Sequence, residues 1–190
     1  KQEDNVLVLG ATNRPCELDE AIRRRFEMRV FISLPGWEAR SKMAKIHLRN
    51  ASHNLTERDF DKLGQMTEGA SGSDMKVLVK KARHEPLNKC GKAQQFLPIG
   101  KYLVPCEQYP NCLYCPPKLS ADPPNKNYDC CHCGAKRMQM WDVPDKKLKT
   151  PDVCVKDFEN VLRRHSHSTV AKRELEKYED WTNEFGEEGA

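Results

Sequence analysis

Two short apolar runs flank a helical segment at the start of the chain, and this order constrains the fold more than any other feature. Residues 6–9 are apolar and include β-branched side chains, which predicts a buried strand. A short helix is predicted over 17–22 and a second strand over 29–32. This order is typical of an α/β domain, yet two strands alone cannot form a stable sheet. We therefore expect residues 1–34 to be the last part of a larger sheet.

Residues 36–95 have helical spacing instead. Helices are predicted over 37–48, after the capping residue Thr56, and after a glycine- and serine-rich turn in which Ser71 or Ser73 is the cap. The side chains expected to face the core are Ala39, Met43, Ile46, Phe60, Leu63, Met75, Leu78, Val79 and Ala82, with His47 at the edge of the first stripe. This part of the chain is predicted to be a small helical domain.

Downstream of these helices the pattern changes twice. Pro86 is expected to kink or end the third helix. Seven of the twelve prolines lie between 98 and 124, where no helical period survives, so short strands and turns are predicted. Residues 136–141 alternate polar and apolar as a half-buried strand does, and helical spacing returns from 158 to 185. The predicted fold class is mainly α with a small β insertion (α+β).

The composition excludes one class of protein and weakens another. Hydrophobic residues make up 38% of the chain and charged residues 32%, and no run approaches the roughly 20 apolar residues that cross a bilayer. The net charge of +4 is too small to argue for nucleic acid by itself. Nine cysteines, an odd total, fit a disulfide framework poorly, and from the charged first residues we expect no signal peptide. A reducing compartment is favoured.

A cysteine cluster contains two C-x-x-C pairs with metal-ligand spacing. Cys112 and Cys115 form the first pair and Cys130 and Cys133 the second, with fourteen residues between them. Two residues between thiolates allow both sulfurs to bind one ion, so two pairs supply the four ligands of a tetrahedral zinc site. Such a closed site leaves no position for a reacting water, and its predicted role is structural.

Three other interpretations of the cluster remain open. The cysteines could be free thiols in a loop, or they could form disulfides. A different ligand set could recruit Cys106, Cys131 or His132, since the fourteen-residue spacing is one short of the usual window.

Two further features could orient a water or bind an anion such as phosphate. Asn13 follows the first predicted strand, where ligands of α/β sheets bind, although asparagine is also a common turn residue. Gly72 and Ser73 lie at a predicted helix start, where free amides favour anions. His47 is ambiguous, because a histidine at the edge of an apolar stripe is more often packed than a ligand contact.

Three consecutive arginines form the last of these features. Arg23, Arg24 and Arg25 are either a solvated basic run at a helix C-terminus or guanidinium groups that stabilise a transferring phosphoryl group. The second function is often supplied by a neighbouring chain.

These features occur together in one known family. The residues that carry the likeness are LGATNRP at 9–15, LDEAIRRRF at 18–26 and GSDM at 72–75. They resemble the second half of an AAA ATPase module, in the group that contains katanin, spastin and the vacuolar sorting ATPases. Further residues resemble the vacuolar sorting ATPases, which disassemble ESCRT-III polymers and carry a β domain inserted in the helical subdomain: VPC at 104–106, MWDVP at 140–144, PD at 151–152 and TNEFGEEG at 182–189.

The resemblance implies a division into four parts. Residues 1–34 would be the end of the large AAA subdomain, and 35–96 the helical lid subdomain. Residues 97–142 would be the β domain with its cysteine-rich insertion, and 143–190 the C-terminal helices.

The resemblance also implies roles for single residues. Asn13 matches the sensor asparagine that positions the attacking water near the γ-phosphate. Arg24 and Arg25 match the arginine fingers that reach the nucleotide of the adjacent subunit in a hexamer. The implied contacts to ribose and adenosine are His47, Gly72 and Ser73.

The implied cofactor is ATP with magnesium, bound by the full-length protein. The implied partners are other copies of the chain in a hexamer, ESCRT-III subunits, and a Vta-type activator that docks on the β domain. No nucleic-acid partner is expected. The implied location is the cytoplasm, with recruitment to the endosomal membrane surface.

The chain departs from the family in three ways. It contains no G-x-x-x-x-G-K-[ST] phosphate loop, acidic Walker B pair or pore loop, so this polypeptide is expected to be inactive alone. The segments 6–9 and 29–32 flank a central strand in the family, and without it we expect them to be disordered, abnormally paired or completed by another copy. The family has a short turn where this chain has residues 107–133, so the zinc hypothesis gains nothing from the resemblance.

A zinc-ribbon module that binds nucleic acid or protein is the alternative function. It predicts a basic, aromatic face around the cysteines. It leaves the motifs around Asn13, Arg24 and Gly72 unexplained.

Overall fold

The structure, a computed structural model, divides the chain into two units. One consists of Lys1–Leu34 with Thr169–Ala190, and the other of Pro35–Ser168. The residues that the structure describes are 6–106, 134–144, 146–164 and 172–186. The helices are α1 (Glu20–Arg25), α2 (Trp37–Leu48), α3 (Glu57–Met66), α4 (Gly72–Lys92), α5 (Val155–Arg164) and α6 (Lys172–Phe185). The strands are β1 (Gln95–Ile99), β2 (Tyr102–Pro105) and β3 (Lys136–Arg137), and two 3-10 helices cover Pro15–Glu17 and Met140–Asp142.

The predicted fold class is confirmed, because the described part is mainly helical with one small antiparallel sheet. The division into four parts remains a prediction. No helix within the described ranges is long and apolar enough to cross a membrane.

Helices α2 to α5 enclose the main core of the second unit. Their fully buried side chains include Leu48, Leu63, Met75, Val79 and Phe158. The inward faces predicted for α3 and α4 are confirmed, since Phe60, Leu63, Met75, Leu78, Val79 and Ala82 are all buried. Regular 3.6-residue spacing placed these side chains on one face of each helix.

Reciprocal capping boxes start α3 and α4, as the sequence predicts. Thr56 and Asp59 bind each other at the start of α3, and Ser71 and Asp74 do so at the start of α4. The amide and hydroxyl of Thr56 both donate to Asp59 Oδ2 at 2.8 Å. These hydrogen bonds hold the pKa of Asp59 below its usual value of 3.8.

Asp59→Asn should therefore lower the melting temperature at neutral pH and lose its effect in acid. Because the folded-state pKa is depressed, the carboxylate stabilises the fold above pH 3.8, and this contribution disappears as the pH falls through the lower folded-state value. Melting temperatures of the variant and the parent protein at about pH 7 and about pH 2 test this. Glu68→Gln, in an exposed turn, is the charge-matched control. A difference that persists unchanged in acid would contradict the capping role.

The inward stripe predicted for α2 is wrong at Ile46, whereas half-buried Met43 does pack against the core. Ile46 is 68% exposed, and the face that packs inward carries Arg40, Ser41, Ala44 and Leu48. Arg40 turns inward because its guanidinium has fixed acceptors: Nε and Nη2 donate to the carbonyl oxygen of Gly64 at 3.0 and 2.8 Å, and Nη1 to that of Pro35 at 2.5 Å. A buried charge satisfied in this way outweighs the apolar pattern.

Of the two outcomes predicted for Pro86, the end of the helix is wrong, and a kink stays a prediction. Helix α4 continues to Lys92, although proline cannot donate a backbone hydrogen bond to Ala82 four residues earlier. Pro86 is buried, as is Cys90 one turn later, so tertiary packing carries the helix past the missing bond.

A three-stranded sheet in the order β2–β1–β3 covers a second, smaller core. The β1–β2 hairpin pairs Phe96 with Pro105 and turns at Gly100, whose φ of +59° lies in the region that favours glycine. The strand predicted over 136–141 is formed only at Lys136–Arg137. A 3-10 turn follows because Asp142 Oδ2 accepts a hydrogen bond from the Gln139 amide.

The predicted strands at 6–9 and 29–32 are not formed. Leu7, Leu9 and Ile32 are 92%, 90% and 89% exposed, and the described residues of the first unit contain no strand. The buried-strand interpretation is wrong here because no strand among the described residues lies beside these segments to supply hydrogen-bond partners. Completion of these segments by another copy stays a prediction.

Candidate functional site

Asn13 lies in an exposed turn directly before the first 3-10 helix. The hydroxyl of Thr12 accepts a hydrogen bond from the Arg14 amide at 3.0 Å, which shapes the turn. The hydroxyl of Tyr178, on α6, donates to the backbone carbonyl of Asn13 at 3.1 Å. This hydrogen bond holds the backbone of Asn13 within the first unit. Asn13 itself is exposed, so its side chain can contact a ligand.

The three arginines occupy the last turn of α1, and their environments differ. Asp19 caps the helix, accepting a hydrogen bond from the Ala21 amide at 2.7 Å. Arg24 forms an ion pair with Glu20 and its side chain is 78% exposed, and Arg25 is exposed as well. Arg23 is half-buried, with its guanidinium carbon 4.9 Å from the centre of the Phe185 ring.

Gly72 and Ser73 are the first two residues of α4. Ser71 Oγ accepts a hydrogen bond from the Asp74 amide at 3.2 Å. The amides of Gly72 and Ser73 lie in the first turn of α4, where no carbonyl of the helix can accept a hydrogen bond from them. A Cβ built on Gly72 would meet only Met43, at an ordinary 3.8 Å. Packing within this chain therefore leaves room for a side chain, and the glycine keeps the helix start open to a ligand.

His47 lies on α2, one turn beyond Met43 and half-buried. Residues four apart share a helix face, so His47 and the Met43 side chain that contacts Gly72 lie on the same side of α2. The predicted ribose and adenosine contacts thus lie on two packed helices of the second unit. Asn13, Arg24 and Arg25 all belong to the first unit.

The predicted zinc ligands Cys112, Cys115, Cys130 and Cys133 lie outside the described residues, and zinc remains a prediction. Within the ranges that are described, no group of three or more His, Cys, Asp or Glu side chains is placed to bind a metal.

The structure contains a buried ion pair that the sequence pattern does not predict. Lys89 Nζ lies 2.6 Å from Oδ1 of Asp157, and the two side chains are 17% and 0% exposed. Oδ1 of Asp157 has no partner that meets hydrogen-bond geometry, but it forms an ion pair with the Lys89 ammonium 2.6 Å away. Oδ2 accepts the Cys154 amide at 3.0 Å. No local pattern could have revealed a partner 68 residues away, since only the packing of α4 on α5 brings the two together.

Two family models match separate parts of the chain. The model described as "ATPase family associated with various cellular activities (AAA)" matches residues 1–34. The model described as "Vps4 C terminal oligomerisation domain" matches residues 132–186.

Curated relatives align with nearly the whole chain. Protein SUPPRESSOR OF K(+) TRANSPORT GROWTH DEFECT 1 of Arabidopsis thaliana is 42% identical over 193 residues, covering 98% of this chain and 39% of the relative. Vacuolar protein sorting-associated protein 4B of Mus musculus is 39% identical over 189 residues, with the same coverages. The chain belongs to the AAA ATPase family. Within it, the chain is similar to the Vps4 proteins, and it spans about two fifths of the length of these relatives.

A solved structure supports the same assignment. The AAA domain of FIGL-1 in complex with ADP matches with a TM-score of 0.62 at 28% identity, covering 95% of this chain and 45% of that one. The AAA resemblance inferred from the sequence motifs is therefore confirmed, and the roles of single residues stay predictions.

Proposed function

We propose that this chain is the C-terminal part of a hexameric AAA ATPase that uses ATP hydrolysis to disassemble ESCRT-III polymers in endosomal and vacuolar sorting. Membership of the family and similarity to Vps4B over 98% of the chain support the proposal. The match of residues 132–186 to an oligomerisation domain supports self-assembly.

The exposure of Arg24 and Arg25 is the observation that carries the proposal. A finger that acts on a neighbouring subunit must project from its own fold, and both side chains lie on exposed residues of a capped helix turn. The ion pair of Arg24 with Glu20 is solvent-exposed and therefore weak, so it can exchange for a phosphate. Guanidinium groups stabilise the charge that develops on a transferring phosphoryl group.

The nucleotide side of the site is supplied by other residues. Asn13 would orient the attacking water, while the open start of α4 at Gly72 and Ser73, with His47 nearby, would contact the adenosine. The nucleotide is ATP with magnesium, the cofactor of AAA ATPases. ADP is bound in the structure of the similar FIGL-1 domain. The 190-residue polypeptide contains no phosphate loop, and we expect no turnover from it alone.

Complementation between two defective variants tests the proposal. The chain is placed behind the phosphate-loop half of the mouse relative, and Arg25→Ala and Asn13→Ala are made separately. Removing an arginine finger should reduce kcat by about a thousand-fold. Mixed hexamers should regain activity, because an intact Asn13 in one subunit then meets an intact Arg25 in the next. Arg83→Ala, an exposed arginine of α4, is the control and should leave the rate unchanged.

Failure to regain activity in hexamers that demonstrably contain both variants would exclude action between subunits. An unchanged rate for Arg25→Ala alone would exclude the finger role. Measurable hydrolysis by the isolated 190-residue chain would overturn the expectation that it is inactive.

The remaining elements of the proposal rest on similarity to the vacuolar sorting ATPases. They are ESCRT-III subunits as substrates, a Vta-type activator on the β domain, and a cytoplasmic protein recruited to the endosomal surface. The alternative zinc-ribbon function does not account for the matches at both ends of the chain.

A further inference from the structure

Helix α6 contacts the Asn13 turn through one side chain. Besides the hydrogen bond from its hydroxyl to the Asn13 carbonyl, the ring of Tyr178 lies 6.5 Å from that of Phe31, centre to centre. The 3-10 helix that begins two residues after Asn13 also packs against α6. A residue 165 positions away along the chain thus holds the backbone of the proposed sensor.

The end of α6 contacts the arginine helix in the same unit. The Phe185 ring lies under the guanidinium of Arg23 at 4.9 Å, and the Trp181 and Phe185 rings are 5.7 Å apart. A guanidinium over an aromatic face is attracted by the ring quadrupole. Arg23 makes this contact with the aromatic ring, whereas Arg24 and Arg25 are exposed.

We propose that Tyr178 and Phe185 are positioning residues, which hold the Asn13 turn and helix α1 in the orientation that catalysis requires. This inference rests on the proposed roles of Asn13, Arg24 and Arg25. In this arrangement Arg23 holds α1 in place, and Arg24 and Arg25 reach the nucleotide.

The need for such anchors follows from the local structure. Segments 6–9 and 29–32 make no strand pairing among the described residues, so no ladder orients the turn or α1. Helix α1 has only six residues, too few to be stable without tertiary contacts. Arg23 Nε and Trp181 Nε1 are buried without a hydrogen-bond partner, so aromatic packing is what secures this end of α6.

The first test is spectroscopic and uses the 190-residue chain. Ring-current shielding by Phe185 should move the side-chain NMR signals of Arg23 upfield, and those of Arg24 and Arg25 should lack this shift. Phe185→Leu should abolish the shift, whereas Phe185→Tyr should keep it because an aromatic ring remains. Tyr178→Phe should move the Arg14 amide signal, which reports on the Asn13 carbonyl, while leaving the Phe31 contact intact. Glu179→Gln, exposed on α6, is the control and should change neither signal.

The second test measures hydrolysis in the longer protein described above. Loss of one positioning hydrogen bond in Tyr178→Phe should lower kcat about five-fold with KM unchanged. Phe185→Leu should lower kcat about ten-fold or more, and Phe185→Tyr should restore it.

The two tests fail in different ways. Arg23 signals without an upfield shift, or an unmoved Arg14 amide in Tyr178→Phe, would overturn the positioning contacts whatever the ATPase does. NMR changes as expected with an unchanged kcat in both variants would overturn the positioning role while keeping the contacts. An inactive parent protein would instead count against the proposed function.

Discussion

Gly64→Ala is expected to destabilise the helical unit by about 2–4 kcal/mol. A Cβ at this position in α3 would lie 2.3 Å from the backbone carbonyl oxygen of Trp37, closer than real atoms approach. The obstacle is backbone, so α2 would have to move away from α3. The Gly64 carbonyl that accepts two hydrogen bonds from buried Arg40 would then be displaced as well. Helix content followed by circular dichroism during chemical unfolding measures the loss.

A second glycine in the same unit provides the matched control. Gly91 lies inside α4, and a Cβ there would meet no atom within 4 Å. Gly91→Ala should be neutral or should stabilise the fold by up to about 1 kcal/mol, because alanine is the better helix former. Equal effects of the two substitutions would contradict the close approach of α2 and α3.

Asp157→Ala is expected to destabilise the protein by about 3–5 kcal/mol. Without the carboxylate, the Lys89 ammonium remains only 17% exposed and loses its counter-charge. The Cys154 amide at the start of α5 loses its acceptor at the same time. Equilibrium unfolding of the variant and the parent protein gives the difference.

Two further variants separate the causes of this loss. Glu159→Ala removes a carboxylate from the same helix, but its ion pair with Lys62 has side chains 40% and 54% exposed, so the cost should stay below about 1 kcal/mol. Asp157→Asn keeps an oxygen for the Cys154 amide and should cost less than Asp157→Ala. A loss for Asp157→Ala no larger than that for Glu159→Ala would refute the importance of the buried pair.

Local patterns were sufficient to predict most helices and their starts. Thr56 and Ser71 each precede an amphipathic run and are followed three residues later by an acidic side chain, so the cap and the buried face are encoded within a few residues. The two capping boxes and the inward faces of α3 and α4 therefore agree with the structure.

The buried face of α2 could not be predicted in this way. Its orientation depends on Arg40, whose acceptor, the Gly64 carbonyl, is 24 residues away. An arginine is usually assigned to the surface, because the cost of burying its charge is apparent from sequence and the compensating acceptors are not.

The candidate site was found by resemblance and not by residue pattern. Asn13, Arg24 and Gly72 each had an ordinary structural explanation, and their joint occurrence in known motifs pointed to a nucleotide site. Phe185 lies in the quoted motif TNEFGEEG at 182–189 and Tyr178 lies outside the motifs, but no motif indicated which residues of the first unit these two side chains contact. Their contacts with Asn13 and Arg23 link the two ends of the chain, at separations over which no sequence period operates.

The sequence by itself determined the family, the capped helices within residues 36–95, and the presence of a small sheet. These depend on short-range spacing and on short sequence motifs. The tertiary structure decided which side of α2 is buried, that 6–9 and 29–32 form no strand, and which of the three arginines packs against an aromatic ring. Each of these outcomes depends on a distant partner. The described residues contain one for Arg40 and for Arg23 but none for the two strand-like segments, and a side chain or backbone group is satisfied only by what the fold brings beside it.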